Sequence, residues 1–401
     1  MRAVPSDASV RLHQLAVRQE GDEWIVGRVD TGVFVALPEV GVRVIEMLTD
    51  GMSVEGVAEA LEARHGEPVD VSGFVGSLKR LGFVAADHED APEVQAPSRS
   101  SFDRVAPRHV RWLLHPALGW GVLSLLVGCA VLMAAGVARI PTATEIIWSP
   151  WSSLVVLSQA LLAWSVIFLH ELGHLLTARA AGVPGRISLG TRLQFLVAQT
   201  DVSGIWAASR RTRMTVYLSG MAINGVLGVV GLALYNVSDP GPLHVFAATL
   251  YITQVLMLGT QFMFFMRTDI YFVVQDLARC RNLYGDASAY VRHVLGAVVR
   301  RGGADPSRAL PARERRAVRL YAAFVVPGTA VCLGVFLFVT LPIAVGMIEQ
   351  TYGNLRHATS AADVADALTM IAVFGFFQFL WVRTWWARHG RRVRAFLGRV
   401  G

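Results

Sequence analysis

The spacing of apolar residues changes character near residue 110. Before it, apolar positions come in short runs separated by turn residues. Glu23 to Arg28 and Thr31 to Leu37 are β-prone stretches around a turn at Asp30-Thr31-Gly32. Pro38-Glu39 opens a helix that runs to Leu48 and stops at Asp50-Gly51. Ser53 is placed to cap a second helix, in which Val54, Val57, Ala58 and Leu61 fall on one face and which Gly66 ends. Asp70 caps a third, with Val71, Phe74, Val75 and Leu78 at the same spacing and Gly82 at its end, and Phe83-Val84 reads as a last strand. This order predicts a small α+β winged-helix domain over 20–86, after a segment, 1–19, that carries no clear pattern. Pro, Ser and charge crowd Asp87 to Arg108, a linker, and Arg111-Trp112-Leu113-Leu114-His115 reads as an interfacial anchor, so that 87–117 connects the two parts of the chain.

Beyond the anchor the apolar runs are long: 118–138, 152–178, 214–236, 243–266, 320–347 and 364–382. Crossing about 30 Å of hydrocarbon takes roughly 20 residues, so each is long enough. The predicted fold class is therefore mainly α, a polytopic membrane protein of about six transmembrane helices behind a small winged-helix domain. Arginines set the orientation. Arg186, Arg192, Arg210, Arg211 and Arg213 fall between the second and third segments, eleven more between 267 and 319, and six after the last segment. The alternate loops hold only Arg139 and Arg356. Both termini are expected in the cytoplasm, in a multi-pass protein of the cell membrane, with 286–319 a cytoplasmic loop and 320–401 the last helices and a basic tail. Tyr290 to Arg301 reads as an interfacial helix.

Composition agrees: 53% of residues are hydrophobic, only 17% are charged and the mean hydropathy is +0.46. The net charge of +7 hides an asymmetry, because residues 11–90 hold 15 acidic against seven basic residues, a net of −8. An acidic winged helix is poor for nucleic acid, whose phosphates need a basic face. The partners expected are the lipid bilayer and a peptide, with no nucleic acid. Three scattered cysteines, Cys129, Cys280 and Cys332, read as reduced packing residues.

One polar motif interrupts the second apolar run: His170-Glu171-Leu172-Gly173-His174, an HExxH. Residues four apart share a helix face, so two imidazoles can meet one metal ion while Glu171 reaches a water beside it as general base. Ionisable groups at membrane depth are expensive and signal function. The plainer reading is a polar cluster that pairs helices without metal. His174 lies five residues before Arg179, roughly 8 Å along a helix, which puts the motif nearer the cytoplasmic side. Among carboxylates at similar depth, Asp269 is the favoured third ligand, with Asp201 and Asp276 as alternatives. Asp276, seven residues after Asp269, is a candidate partner for a ligating histidine. Both alternatives read equally well as ordinary interfacial carboxylates.

These residues resemble the site-2 protease family of intramembrane zinc metalloproteases, with HExxH on one helix and an aspartate from a second motif, NxxPxxxxDG, two helices later. That second stretch runs from Gln261 to Ile270 and keeps Asp269, but it has Gln261 for Asn, Phe264 for Pro and Ile270 for Gly. Ser219-Gly220-Met221-Ala222-Ile223-Asn224 resembles the family's AGPxxN and keeps Gly and Asn. The resemblance covers 118–285. It implies a Zn²⁺ cofactor held by His170, His174 and Asp269, peptide hydrolysis with Glu171 as catalytic base, and a substrate-orienting role for Asn224. It also implies a membrane-level hairpin in 183–205, on which a substrate adds as a strand. Glu23 to Val84 resembles a PqqD-type domain, which binds leader peptides of ribosomally made, modified peptides. Asp269 to Leu277 resembles the DGYYxLxDL run of metalloproteases fused to such domains.

The leading expectation is a membrane zinc endopeptidase whose N-terminal domain recruits its peptide, including a precursor of a modified peptide. The alternative is a non-catalytic zinc-binding membrane protein that escorts a peptide for modification or export, a reading favoured by the changes at Phe264 and Ile270. A DNA-binding regulator is disfavoured by charge, and nothing suggests the inverted repeats of a transporter.

Overall fold

The computed structural model describes residues 10–20, 23–29, 31–85, 100–192, 195–298 and 304–397. Asp30 of the expected turn and 86–99 of the expected linker lie outside these. The chain forms two compact units. The first comprises Met1–Leu114, Leu175–Arg186 and Thr200–Arg213, and the second His115–His174, Ile187–Gln199 and Met214–Gly401.

In the first unit three antiparallel strands, β1 (Ala16–Glu20), β2 (Glu23–Arg28) and β3 (Val33–Leu37), form a sheet in that order. Helices α1 (Glu39–Thr49), α2 (Val54–His65) and α3 (Val71–Arg80) follow. Ser53 accepts from the Gly56 amide and Asp70 from the Gly73 amide, the two expected N-caps, and Gly66 takes the left-handed conformation that ends α2. Val26, Val42, Ile45, Leu78 and Phe83 form one core cluster, and Val44, Leu48, Val57, Leu61, Val71 and Val75 another. Strand β1 is an addition to the expectation, since AVRQE shows no run of apolar residues, and its pairing with β2 makes it a strand. Phe83-Val84, expected as a strand, contributes only an isolated bridge from Val84 to Leu12. A short helix α4 (Pro107–Val110) precedes the anchor. Arg179 donates to the carbonyls of Ser101 and Val105 and pairs with Asp103, tying 100–105 down.

Among the described residues, the rest of the chain is helical apart from one hairpin and the connecting turns. In order come α5 (Pro116–Ala134), α6 (Ser152–Ala180), strands β4 (Arg186–Arg192) and β5 (Phe195–Asp201), α7 (Arg210–Val237) and α8 (Pro242–Gln261). Then come α9 (Asp269–Ala278), α10 (Leu283–Val298), α11 (Ala312–Val335), α12 (Leu341–Arg356) and α13 (Ala361–Leu397). Among the described residues six stretches are long and apolar enough to cross a membrane, as the sequence leads one to expect: α5, α6, α7, α8, the continuous 45-residue run Ala312–Arg356, and Ala361–Ala387. The fifth is longer than the apolar segment 320–347 because α11 passes into α12 through a π-helical turn, Phe336–Thr340. Pro342 follows that turn and has no N–H to donate, so a regular ladder cannot run through it. The small residues of α7 let its neighbours close in: a Cβ on Gly228 would lie 3.3 Å from Cβ of Gln254, and one on Gly231 2.9 Å from the Tyr251 amide of α8.

Candidate metal centre

Helix α6 carries His170, Glu171 and His174 as an uninterrupted helix, so the two imidazoles project from one face one turn apart. All three side chains are buried. Asp269 reaches them from the start of α9. After α8 ends, a tight turn through Phe264–Met266 brings Arg267 into a left-handed conformation. Gln261 then fastens the return: its carbonyl accepts from the Thr268 hydroxyl at 2.6 Å, and its side-chain oxygen accepts from the Asp269 amide at 3.1 Å. Asp269 is the first residue of α9, where the helix dipole favours a carboxylate.

The three ligand atoms form a near-equilateral triangle. His170 Nε2 to Asp269 Oδ2 is 2.9 Å, His174 Nε2 to Asp269 Oδ2 is 3.2 Å, and the two Nε2 atoms are 3.1 Å apart. Among the described residues this is the one group of three metal-competent side chains found together. Bonds of about 2.0–2.1 Å at tetrahedral angles separate neighbouring ligand atoms by roughly 3.3 Å, close to these edges. His174 Nδ1 donates to the Val216 carbonyl at 2.7 Å, which leaves its Nε2 lone pair facing the triangle. Gly220 of α7 backs the site: a Cβ there would lie 2.4 Å from His174 Nε2 and 2.6 Å from His170 Nε2. The missing side chain lets both imidazoles come up against the α7 backbone, and the donor set of two imidazoles and one carboxylate fits zinc.

No protein-family model, curated protein or solved structure matches this chain.

Glu171 is buried and close enough to His174 to interact with it electrostatically. Asp269 retains 20% side-chain exposure against 5% and 8% for the histidines, so the approach from outside is on the carboxylate side. Asp201 is not part of the group, because its carboxylate accepts from the amide and hydroxyl of Ser203 and closes the turn after β5. Asp276 is buried on α9, but the partner role expected of it belongs to the Val216 carbonyl, which α7 brings up to His174 Nδ1. His170 Nδ1 has no partner among the described residues. Asn224 is fully buried one turn beyond Gly220, and neither atom of its amide is paired among the described residues.

The altered positions of the second motif have definite jobs. Gln261 is the fastening just described. Phe264 packs on Tyr321 and Phe324, with its carbonyl accepting from the Tyr321 hydroxyl at 3.0 Å. Ile270 lies inside α9, with no left-handed backbone that would demand glycine. Sequence reasoning missed Val216 and the function of Gly220. A backbone carbonyl leaves no mark in a sequence, and the hint of the second is the place of Gly220 in the stretch that resembles AGPxxN.

Proposed function

We propose that this protein is a membrane-embedded zinc endopeptidase of the site-2 protease type. The observation that carries this reading is the convergence of His170, His174 and Asp269 within 3.2 Å beside Glu171, against the bare backbone of Gly220. When bound, zinc supplies a Lewis acid for a peptide carbonyl and makes water acidic enough to attack near neutral pH. His170, His174 and Asp269 would hold it. The Val216 carbonyl keeps His174 in the tautomer that can ligate. Glu171 takes the proton from the attacking water and passes it to the leaving amine. Asn224 offers, one turn from the site, an amide with no partner among the described residues to orient the substrate main chain. The β4–β5 hairpin offers an edge to which an extended peptide adds as a strand.

Six apolar helices and the arginine distribution support a topology with both termini in the cytoplasm and the site nearer that face of the cell membrane. The N-terminal sheet and three helices act as a PqqD-like winged helix that recruits the peptide, a ribosomally made precursor, and their acidic balance suits a peptide better than DNA. The deciding experiment measures zinc in detergent-purified protein and compares cleavage of a co-expressed peptide by wild type and Glu171→Gln. Glu171→Gln should keep its zinc and lose hydrolysis by about 100-fold to 10,000-fold, the usual worth of a general base. Stoichiometric zinc with no Glu171-dependent product sinks the endopeptidase reading.

A further inference from the structure

The first turn of α7 is held by a pair unusual for its burial. Arg213 is 1% exposed and is the largest fully buried side chain among the described residues. Its guanidinium grips Glu20 of β1 with both prongs, Nη1 to Oε2 at 3.0 Å and Nη2 to Oε1 at 2.7 Å. Nη1 also donates to the Ala208 carbonyl at 3.2 Å, and that carbonyl accepts a second hydrogen bond from Arg18 of β1. The Trp206 ring lies 5.2 Å from the guanidinium carbon. All these residues belong to the first unit.

A buried ion pair adds little net stability, because desolvation offsets most of its attraction. What a two-pronged pair supplies is geometry, since a planar fork tolerates little sliding or rotation. Arg213 lies three residues before Val216 and seven before Gly220, on one face of the unbroken α7. Val216 is the carbonyl that takes His174 Nδ1–H, and Gly220 is the backbone against both imidazoles.

We infer that the Glu20–Arg213 pair is a positioning device for the metal centre. Strand β1 fixes the first turn of α7, and that turn fixes Val216 and Gly220 against His170 and His174. The inference rests on the metal-centre reading above and adds its regulation: a ligand that pulls on β1 is felt at His174. The N-terminal sheet is then a control element as well as a recruiting arm.

The test uses the full chain in detergent, with Zn²⁺ as the probe against a competing chelator and hydrogen exchange read over Arg210–Gly220. Glu20→Gln and Arg213→Gln should each weaken zinc about tenfold to 100-fold, the usual loss when a ligand's supporting partner is removed. Exchange at 214–220 should quicken in both. Arg213→Lys, which keeps the charge and loses the fork, should recover part of the affinity. Asp103→Asn breaks a different pair of the same unit, Arg179–Asp103, and should leave both readouts unchanged. Should Arg213→Gln not fold, Glu20→Gln, which keeps the acceptor shape, carries the test. Wild-type zinc affinity in Glu20→Gln, with exchange quickened only before Met214, overturns the inference while the metal centre stands. A wild type that binds no zinc removes the metal-centre reading, and unchanged exchange at 214–220 then removes the coupling as well.

Discussion

Gly220→Ala is the smallest change that tests the metal centre. The added methyl carbon would lie 2.4 Å from His174 Nε2 and 2.6 Å from His170 Nε2. Carbon reaches its ordinary contact distance at about 3.5 Å, so the methyl and the imidazoles must part by roughly 1 Å. Metal–ligand distances hold to within about 0.2 Å, several times less than that displacement. At least one imidazole therefore leaves its ligating position. We expect zinc affinity to fall by at least 100-fold, about 2.7 kcal/mol at roughly 1.4 kcal/mol per factor of ten. The helix itself does not object, since alanine is favoured over glycine in a helix interior by about 1 kcal/mol. The overpacking costs about 1–3 kcal/mol, which this preference offsets in part, so melting of the zinc-free protein should fall only modestly. The assay is a zinc titration against a competing chelator in detergent, paired with thermal unfolding with and without chelator. Gly259→Ala is the control, because a Cβ there meets nothing within 4 Å. Wild-type zinc affinity in Gly220→Ala would refute the reasoning, since it would mean that the space in front of the imidazoles is not where the metal sits.

Asp269→Asn should abolish stoichiometric zinc while Asp201→Asn keeps it, because Asp201 is engaged with Ser203; the reverse pattern in metal analysis would refute the assignment. Gln254 is fully buried on α8 with both amide atoms unpaired among the described residues, and an unsatisfied buried group costs about 1–3 kcal/mol. Gln254→Leu should accordingly raise the melting temperature, and a lower value would show that the amide has a bound partner. The Glu20 carboxyl is held below its usual range chiefly by the hydrogen bond from Arg213, against the opposing effect of burial. A lowered folded-state pKa gives stability that is present above the unfolded-state value and is lost as pH falls through the folded one. The melting difference between wild type and Glu20→Gln should be constant near neutral pH and close as pH drops below about 4, so a difference unchanged at about pH 3 would refute this account.

Local features were legible and distant partnerships were not. The caps Ser53 and Asp70 could be read because their hydrogen bonds close within three residues. The apolar helices could be read because hydrocarbon length imposes a run that few other structures need. HExxH puts two imidazoles on one face by helical geometry alone, and the meeting of Asp269 with them was expected from its depth along the chain. Arg213 shows where such reading ends. Beside Arg210 and Arg211 it looks like one more positive flank, yet it is buried against a glutamate 193 positions away. Strand β1 was invisible for the same reason: its fifth residue, Glu20, is explained by Arg213 and by pairing with β2, and neither is a property of the sequence around it.

The choice between a metal and a plain polar cluster turns on lone pairs. A carbonyl can only accept, so the 2.7 Å contact with Val216 puts the neutral His174 proton on Nδ1. Its Nε2 then faces His170 Nε2 at 3.1 Å and a carboxylate oxygen at 3.2 Å, both also able to present lone pairs. Three acceptors so close repel unless something positive sits among them, either a shared proton or a metal ion. The amide introduced by Asp269→Asn, with its own N–H donors, could satisfy the imidazole lone pairs of a metal-free cluster. It could not replace a carboxylate on zinc.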